Sequence, residues 1–324
     1  QENSVEIIRI KALHTTDVGY LRRTISEFLN PFVMWFHLKN HPGFLSQKYD
    51  GIVWYSPTIF WGPLIKRLKK QFRAKSYLVL RDIFPDWALH LGLIQKGPSY
   101  LVLKAVEYFQ YSQADHIGVQ SPNNQTYLIA SHPKLKDKIQ VLWNWIGGGP
   151  VPRACSIDLS KSSLAGRTIC VYAGNMGKAQ GIDTLFELAV HLRENQQLGF
   201  VFVGRGSEVA RISEKIAKES LSNVLLFDEI PAYEIPKLYE QCDIGLVALD
   251  LRHRSHNLPG KWMGYLQAGL PVFAIINPGN DMVDLIHHHR LGYVSTTDDI
   301  AKWVDGLLAL NQQLCLLYTS DAAD

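Results

Sequence analysis

The chain has 324 residues, 47% of them apolar and 19% charged, with a net charge of +3. These values exclude a disordered or fibrous polypeptide, and the length favours two domains over one. No apolar run reaches the eighteen or so residues of a membrane-spanning helix, and no basic-then-apolar leader opens the chain. The four cysteines, Cys155, Cys170, Cys242 and Cys315, are spaced for neither a metal site nor a disulfide framework, which suits a reducing cytoplasm.

Taken in chain order, short β-rich runs alternate with amphipathic helical stretches, the pattern of parallel sheets with crossover helices. In the first half the spacing predicts strands at Val5–Ile10, Gly51–Tyr55, Tyr77–Leu80, His116–Gln120 and Ile139–Leu142, with helices near 58–74, 99–112 and 122–131. Glycines and prolines between Trp145 and Pro152 read as an interdomain hinge. Beyond it, strands are expected at Ile169–Tyr172, Gly199–Val203, Val224–Phe227, Ile244–Val247, Val272–Ile275 and Gly292–Val294. Helices are expected near 181–195, 206–219, 233–241, 261–268, 279–288 and 298–311. The domains are therefore 1–147 and 148–312. The segment 313–324 resembles translated adapter sequence and is set outside the fold.

Charge is uneven between the halves. Residues 1–150 hold 18 Lys and Arg against 10 Asp and Glu, while 151–324 hold 15 against 20. A basic first half points to an anionic partner surface. Within it, Trp61, Leu64, Ile65, Leu68 and Phe72 recur at helical spacing among Lys66, Arg67, Lys69, Lys70, Arg73 and Lys75. That segment, 61–75, is a candidate for contact with an anionic membrane, or equally a sheet-packing helix with a solvated basic face. Nucleic acid is not expected, because no aromatic platform or known module accompanies the basic run.

Three glycine-containing stretches carry the chemistry. The first runs from strand to helix through Gly174, Asn175, Gly177, Lys178, Gln180 and Gly181. Its glycines permit a sharp turn and close backbone approach, and the helix N-terminus behind it favours a phosphate. The second, Gly204-Arg205-Gly206-Ser207, repeats the arrangement, with Ser207 as the expected N-cap. Neither fits the dinucleotide fingerprint or the P-loop. The third places Lys261 after Pro259 and Gly260 in the first turn of a helix, where a cation is unfavourable unless an anion sits nearby. His287, His288 and His289 fall at a helix end and read as solvated.

Together these stretches, with Phe227-Asp-Glu-Ile-Pro231, Cys242-Asp-Ile-Gly245 and Ala268-Gly-Leu-Pro-Val272, resemble the nucleotide-sugar domain of the family 4 retaining glycosyltransferases. In the first half Tyr55–Pro63, Leu80–Trp87, Gly118–Pro122 and Leu142–Trp145 are similar to the subgroup that builds bacterial O-antigens and capsules, including transferases of N-acetylated 6-deoxyhexosamines. The resemblance covers roughly residues 5–312. It implies the GT-B fold, α/β, with two doubly wound Rossmann-like domains whose parallel sheets face each other across a cleft. It also implies a chain that begins after the family's first strand, loop and helix.

The implied reaction moves a sugar from a UDP-sugar to a polyprenyl-diphosphate-linked saccharide with its anomeric configuration kept, on the cytoplasmic side and peripheral to the membrane. No cofactor and no metal are implied. The family's donor-touching histidine ahead of Asp-x-x-Pro falls at Arg81, followed by Asp82 and Pro85, so Arg81, Asp82 and Lys261 are the candidate catalytic residues. The family's Arg and Lys in the first loop fall at Asn175 and Gln180. Its ribose-binding Glu falls at Gly264, and its first acidic position at His256. Gly174, Asn175, Gly177, Lys178, Gln180, Gly181, Gly204, Arg205, Gly260 and Lys261 would line the nucleotide-sugar site. Two other readings compete: a UDP-sugar epimerase of the same fold, using Asp82 and Asp86, and a non-catalytic nucleotide-sugar-binding subunit.

Overall fold

A computed structural model describes residues 5–15, 18–56, 58–147, 154–177, 180–252, 254 and 257–321, with the side chains of Tyr20 and 317–321 left aside. The chain divides into two compact units, 1–143 and 144–324. Residues 148–152 of the expected hinge, Lys178 and His256 lie outside the described residues.

The first unit holds a four-stranded parallel sheet in sequential order: β1 (Gly51–Tyr55), β2 (Lys75–Val79), β3 (His116–Val119) and β4 (Ile139–Val141). Helix α1 (Tyr20–Asn40) precedes it. The crossovers carry α2 (Gly62–Phe72), then the short α3 (Asp86–His90) with α4 (Pro98–Gln113), and then α5 (Pro122–Ser131). Proline at the start of α2, α4 and α5 costs no hydrogen bond there and presets the backbone. Leu64, Ile65 and Leu68 of α2 are buried against Leu78, Ile117 and Tyr111. The apolar stripe of 61–75 is thus spent on the core, and only the basic face of α2 remains exposed.

Two expectations fail here. Among residues 5–10 only Val5 makes a bridge, so the alternating run is not a strand. Residues 20–40, for which no element is expected from the sequence, form α1, with Pro31 inside it.

In the second unit six parallel strands lie in the order β7 (Val224–Phe227), β6 (Leu198–Val203), β5 (Thr168–Ala173), β8 (Ile244–Ala248), β9 (Val272–Ile275) and β10 (Gly292–Ser295). Strands β6, β8 and β9 are buried along their whole length, as expected of a parallel sheet covered on both faces. One cover includes α6 (Ile182–His191) and α11 (Ile300–Asp321), with Leu185, Phe186, Trp303 and Leu307 buried. The other includes α8 (Ile235–Tyr239), α9 (Lys261–Gln267) and α10 (Met282–His289). Helix α7 (Val209–Glu219) buries Ile212 and is preceded by Glu208; Ser207 does not cap it but donates to the Glu208 carboxylate at 3.2 Å. Helix α11 runs to Asp321, past the boundary expected at 312.

Candidate functional site

The order 3-2-1-4-5-6 in the second unit reverses between β5 and β8, and ligands of open parallel sheets bind outside the carboxyl ends of the strands at such a reversal. Both the first glycine loop, after β5, and the turn after β8 lie at that edge. The two strands pair at only two positions, Cys170 with Ile244 and Val171 with Gly245. Beyond them the Tyr265 hydroxyl donates to the Leu246 carbonyl at 3.1 Å and accepts from the Ala173 amide at 3.4 Å. Gly245 makes this possible, because a Cβ there would collide with the Tyr265 ring.

The glycines sort by what they do. Gly204 has φ +147°, and a Cβ on it would strike the Gly174 carbonyl; Gly206 has φ +154° and meets Met176 in the same way. The loops are also zipped by hydrogen bonds, from Met176 N to Arg205 O at 2.8 Å and from Glu208 N to Met176 O at 3.1 Å. Gly181, with φ +59°, lies against the backbone of Leu249 and Asp250 after β8. These three are needed by the protein's own packing, without any ligand. Gly177 and Gly260 are not. A Cβ on Gly177 would meet only the Asn175 side chain, and one on Gly260 would meet nothing. Space is therefore left in front of the first loop and at the start of α9.

Lys261 fills part of that region from below. Its Nζ lies 3.7 Å from the centre of the Tyr172 ring and its Cε 3.7 Å from where a Gly174 Cβ would stand. The ammonium is buried and has no hydrogen-bond partner among the described residues, and burial lowers its pKa to about 7. The aromatic face contributes a cation–π attraction, which offsets only part of the cost of desolvating a charge. A buried, unpaired cation at a sheet reversal is a place where an anion is favoured.

The remaining candidates take other positions. Asn175 is exposed, and its carbonyl accepts from the Tyr172 hydroxyl at 2.7 Å. The Gln180 backbone N–H donates to Gly177 O at 3.0 Å. Arg205 is exposed and paired with Glu229 at 3.2 Å, so it is not held towards the first loop. Gly264 packs near Tyr239, and a side chain there would press on the ring, with 3.2 Å between the Cβ and Tyr239 Cε2. Asp183, in the first turn of α6, pairs with Arg211 of α7.

One group escaped notice in the sequence. Asn277 and Asn280, both buried, follow β9. The Asn280 amide donates to Asn257 O at 3.0 Å and to Asn277 Oδ1 at 3.1 Å, and its oxygen accepts from Met282 N at 3.1 Å. It ties the approach to Lys261 to the start of α10. The run Asn277-Pro-Gly-Asn280 looks like an ordinary turn, and nothing in its spacing marks it out.

Arg81 and Asp82 belong to the first unit, at the carboxyl end of β2. Arg81 donates to Leu142 O at 2.8 Å, and its own carbonyl accepts from Gln120 at 2.6 Å, so it bridges the ends of β2, β3 and β4. Desolvation raises the Asp82 carboxyl although solvent reaches its outer side. Asp86 is buried and accepts from Tyr100 at 2.8 Å, Tyr127 at 3.0 Å and Lys104 at 3.2 Å. Lys104 also pairs with the fully buried Glu107, which His132 approaches at 3.3 Å. Asp86 is fixed as an internal tie between α3, α4 and α5. His287, His288 and His289 are exposed, and among the described residues no His, Cys, Asp and Glu cluster could hold a metal.

Two parallel sheets of α/β type, one in sequential order and one doubly wound, together with the fold similarities below, place the protein in the GT-B fold class. Residues 167–313, within the second unit, match the family described as glycosyl transferases group 1. The chain is 24% identical over 246 residues to a probable glycosyltransferase, WbjE, of Pseudomonas aeruginosa, covering 73% of this chain and 60% of that protein. It is 26% identical over 258 residues to a putative colanic acid biosynthesis glycosyl transferase, WcaI, of Escherichia coli K12, covering 77% and 61%. The chain thus spans about three-fifths of the length of these curated relatives. In fold it is similar to Staphylococcus aureus TarM in complex with fondaparinux, alpha-GlcNAc-glycerol and UDP (TM-score 0.62, 15% identity, 87% of this chain and 52% of that one). It is also similar to WaaG, a glycosyltransferase involved in lipopolysaccharide biosynthesis (0.58, 15%, 81% and 76%), and to Anabaena HepE in complex with UDP-glucose (0.53, 16%, 84% and 79%). WbjE, WcaI and WaaG are named as glycosyltransferases, the second of colanic acid biosynthesis and the third of lipopolysaccharide biosynthesis.

Proposed function

We propose that the protein is a retaining glycosyltransferase that moves an N-acetylated hexosamine or 6-deoxyhexosamine from a UDP-sugar to a polyprenyl-diphosphate-linked saccharide at the cytoplasmic face of a membrane. The observation that carries this reading is the buried, unpartnered Lys261 ammonium beside the β5 loop, at the sheet reversal. A nucleoside diphosphate supplies the anion this cation lacks, and the open space at Gly177 and Gly260 admits it. TarM holds UDP and HepE holds UDP-glucose in the structures named, which supports the donor class.

In this reading the second unit binds the donor and the first binds the acceptor. Lys261 stabilises charge as it develops on the departing diphosphate, the electrostatic role that dominates such transfers. The diphosphate itself takes part in removing the acceptor proton. Arg81, held by the Leu142 carbonyl, and its neighbour Asp82 are the candidate catalytic residues of the first unit. No metal or other cofactor takes part. The exposed cations of α2 meet anionic lipid headgroups.

Calorimetric titration of UDP, with GDP and NAD as controls, tests the donor assignment. Micromolar UDP binding weakened by Lys261→Ala supports it. Binding indifferent to that change favours a non-catalytic subunit, because the resemblance implies ionic side chains at the positions of Gly264, Asn175 and Gln180. Sugar isomerisation without an acceptor would instead identify an epimerase.

A further inference from the structure

Helix α1 is apolar on two opposite sides. Its inner side buries Asn30, Pro31 and Leu38 and packs Met34 and Trp35 against the core of the first unit. On the outer side Leu21, Ile25, Phe28, Leu29, Phe32 and Phe36 recur at three- and four-residue steps and form one stripe; each is 40–77% exposed. With a rise of about 1.5 Å per residue, that stripe is about 22 Å long. Single exposed apolar residues are ordinary, but six large ones in line mark an interaction surface.

The rim of the stripe is basic. Arg22 and Arg23 lie in the first turn, Lys39 sits 5.0 Å over the Phe36 ring, and Arg67 of α2 sits 5.3 Å over the Trp35 ring at the stripe's edge. Lys66, Lys70 and Arg73 continue this charge along the exposed face of α2. The single acidic residue of the two helices, Glu27, is engaged by Arg23 at 2.7 Å and by Thr58 at 2.8 Å. A second copy would bring the same cations against themselves, which an isologous contact cannot tolerate cheaply. An anionic bilayer answers both features, with hydrocarbon for the stripe and phosphate for its rim.

We propose that the outer stripe of α1 inserts into the interfacial layer of an anionic membrane, with the cations of α1 and α2 at the headgroups. This deepens the reading in which the acceptor is lipid-linked and rests on it for its purpose. It also moves the apolar part of the contact from 61–75, where it is core, to α1.

Sedimentation of the intact chain with vesicles containing about one-third phosphatidylglycerol, or pure phosphatidylcholine, tests it. Retention is expected on the anionic vesicles only. The combined change Ile25→Ser, Phe32→Ser and Phe36→Ser should weaken it at least about tenfold while UDP binding is kept. As a second measurement, brominated acyl chains should quench the tryptophan emission of the unaltered protein, and Trp35→Phe should reduce that quenching. Three results would overturn the proposal: no retention of the unaltered protein, equal retention of the triple variant, or a triple variant that differs only by dissociating a dimer in light scattering. Loss of UDP binding in the unaltered protein would count against the donor site and leave the vesicle result standing.

Discussion

The Lys261 ammonium lies 3.7 Å from the centre of the Tyr172 ring, a buried cation with no hydrogen-bond partner among the described residues. Its pKa is held down to about 7 by desolvation. An arriving diphosphate favours the charged form, so binding draws in a proton above that pH. UDP affinity is expected to hold near pH 7 and to fall by up to about tenfold per pH unit above it. Lys261→Met should cost about 1.5–3 kcal/mol of UDP binding and flatten this slope, as read by calorimetry between pH 7 and 9.

The same depression has a signature in stability. Between pH 7 and the ordinary lysine value of 10.5 the unfolded chain binds the proton that the native site has released. This group's contribution therefore improves as pH rises through that window and is least favourable below 7. Thermal melts without ligand should show Lys261→Met more stable than the parent at pH 6.5, with the gain shrinking towards pH 10. A gain independent of pH would show that the group is not the titrating one.

Glycines in the two loops should respond in opposite ways. Gly204→Ala drives a methyl into the Gly174 carbonyl at a φ of +147°, and about 3 kcal/mol or more of stability is expected to go, measured by urea unfolding. Gly177→Ala meets only the Asn175 side chain, so the melting temperature should hardly move. Its effect should appear in UDP affinity, because the added methyl occupies the space left for the ligand.

Asn280→Asp is nearly isosteric but cannot donate to Asn257 O or Asn277 Oδ1. Placing a carboxylate against two buried acceptors should cost about 1–3 kcal/mol of stability in a urea melt. Because Asn280 holds the approach to Lys261, UDP affinity should fall with it, whereas an equally destabilising change far from the site should leave affinity intact.

Asp86→Ala removes the shared acceptor of Tyr100, Tyr127 and Lys104 and leaves Lys104 to Glu107 alone. Breaking one side of a buried ionic group costs about 3–5 kcal/mol, so an unfolding transition at much lower urea is expected. UDP binding by whatever remains folded should be unchanged, which would separate this tie from any acid/base role.

The strands were readable because each is a short β-branched run bounded by turn residues, and the two sheets follow the expected order of elements. Helix α1 was not, and for a physical reason. Apolar residues on both its inner and outer sides erase the one-sided periodicity that announces a helix, and Pro31 looks like a stop. Val5–Ile10 misled in the opposite way, because alternation alone does not supply a pairing partner. At the site, Lys261 stood out by its position after Pro259-Gly260. Arg205 follows a similar glycine turn, but Glu229, distant along the chain, holds it at the surface. Asn280 acts only through partners that folding brings to it.

The Tyr265 phenol has one further consequence. Strands β5 and β8 share two paired positions and then part, and past that point a side-chain hydroxyl, not the backbone ladder, spans the gap. The width of the seam between the two halves of the sheet is therefore set by a removable strut. Trimming that strut to phenylalanine would keep the core filled while letting the seam widen, so how tightly the fold grips whatever lies over it becomes a property that a single oxygen atom can tune.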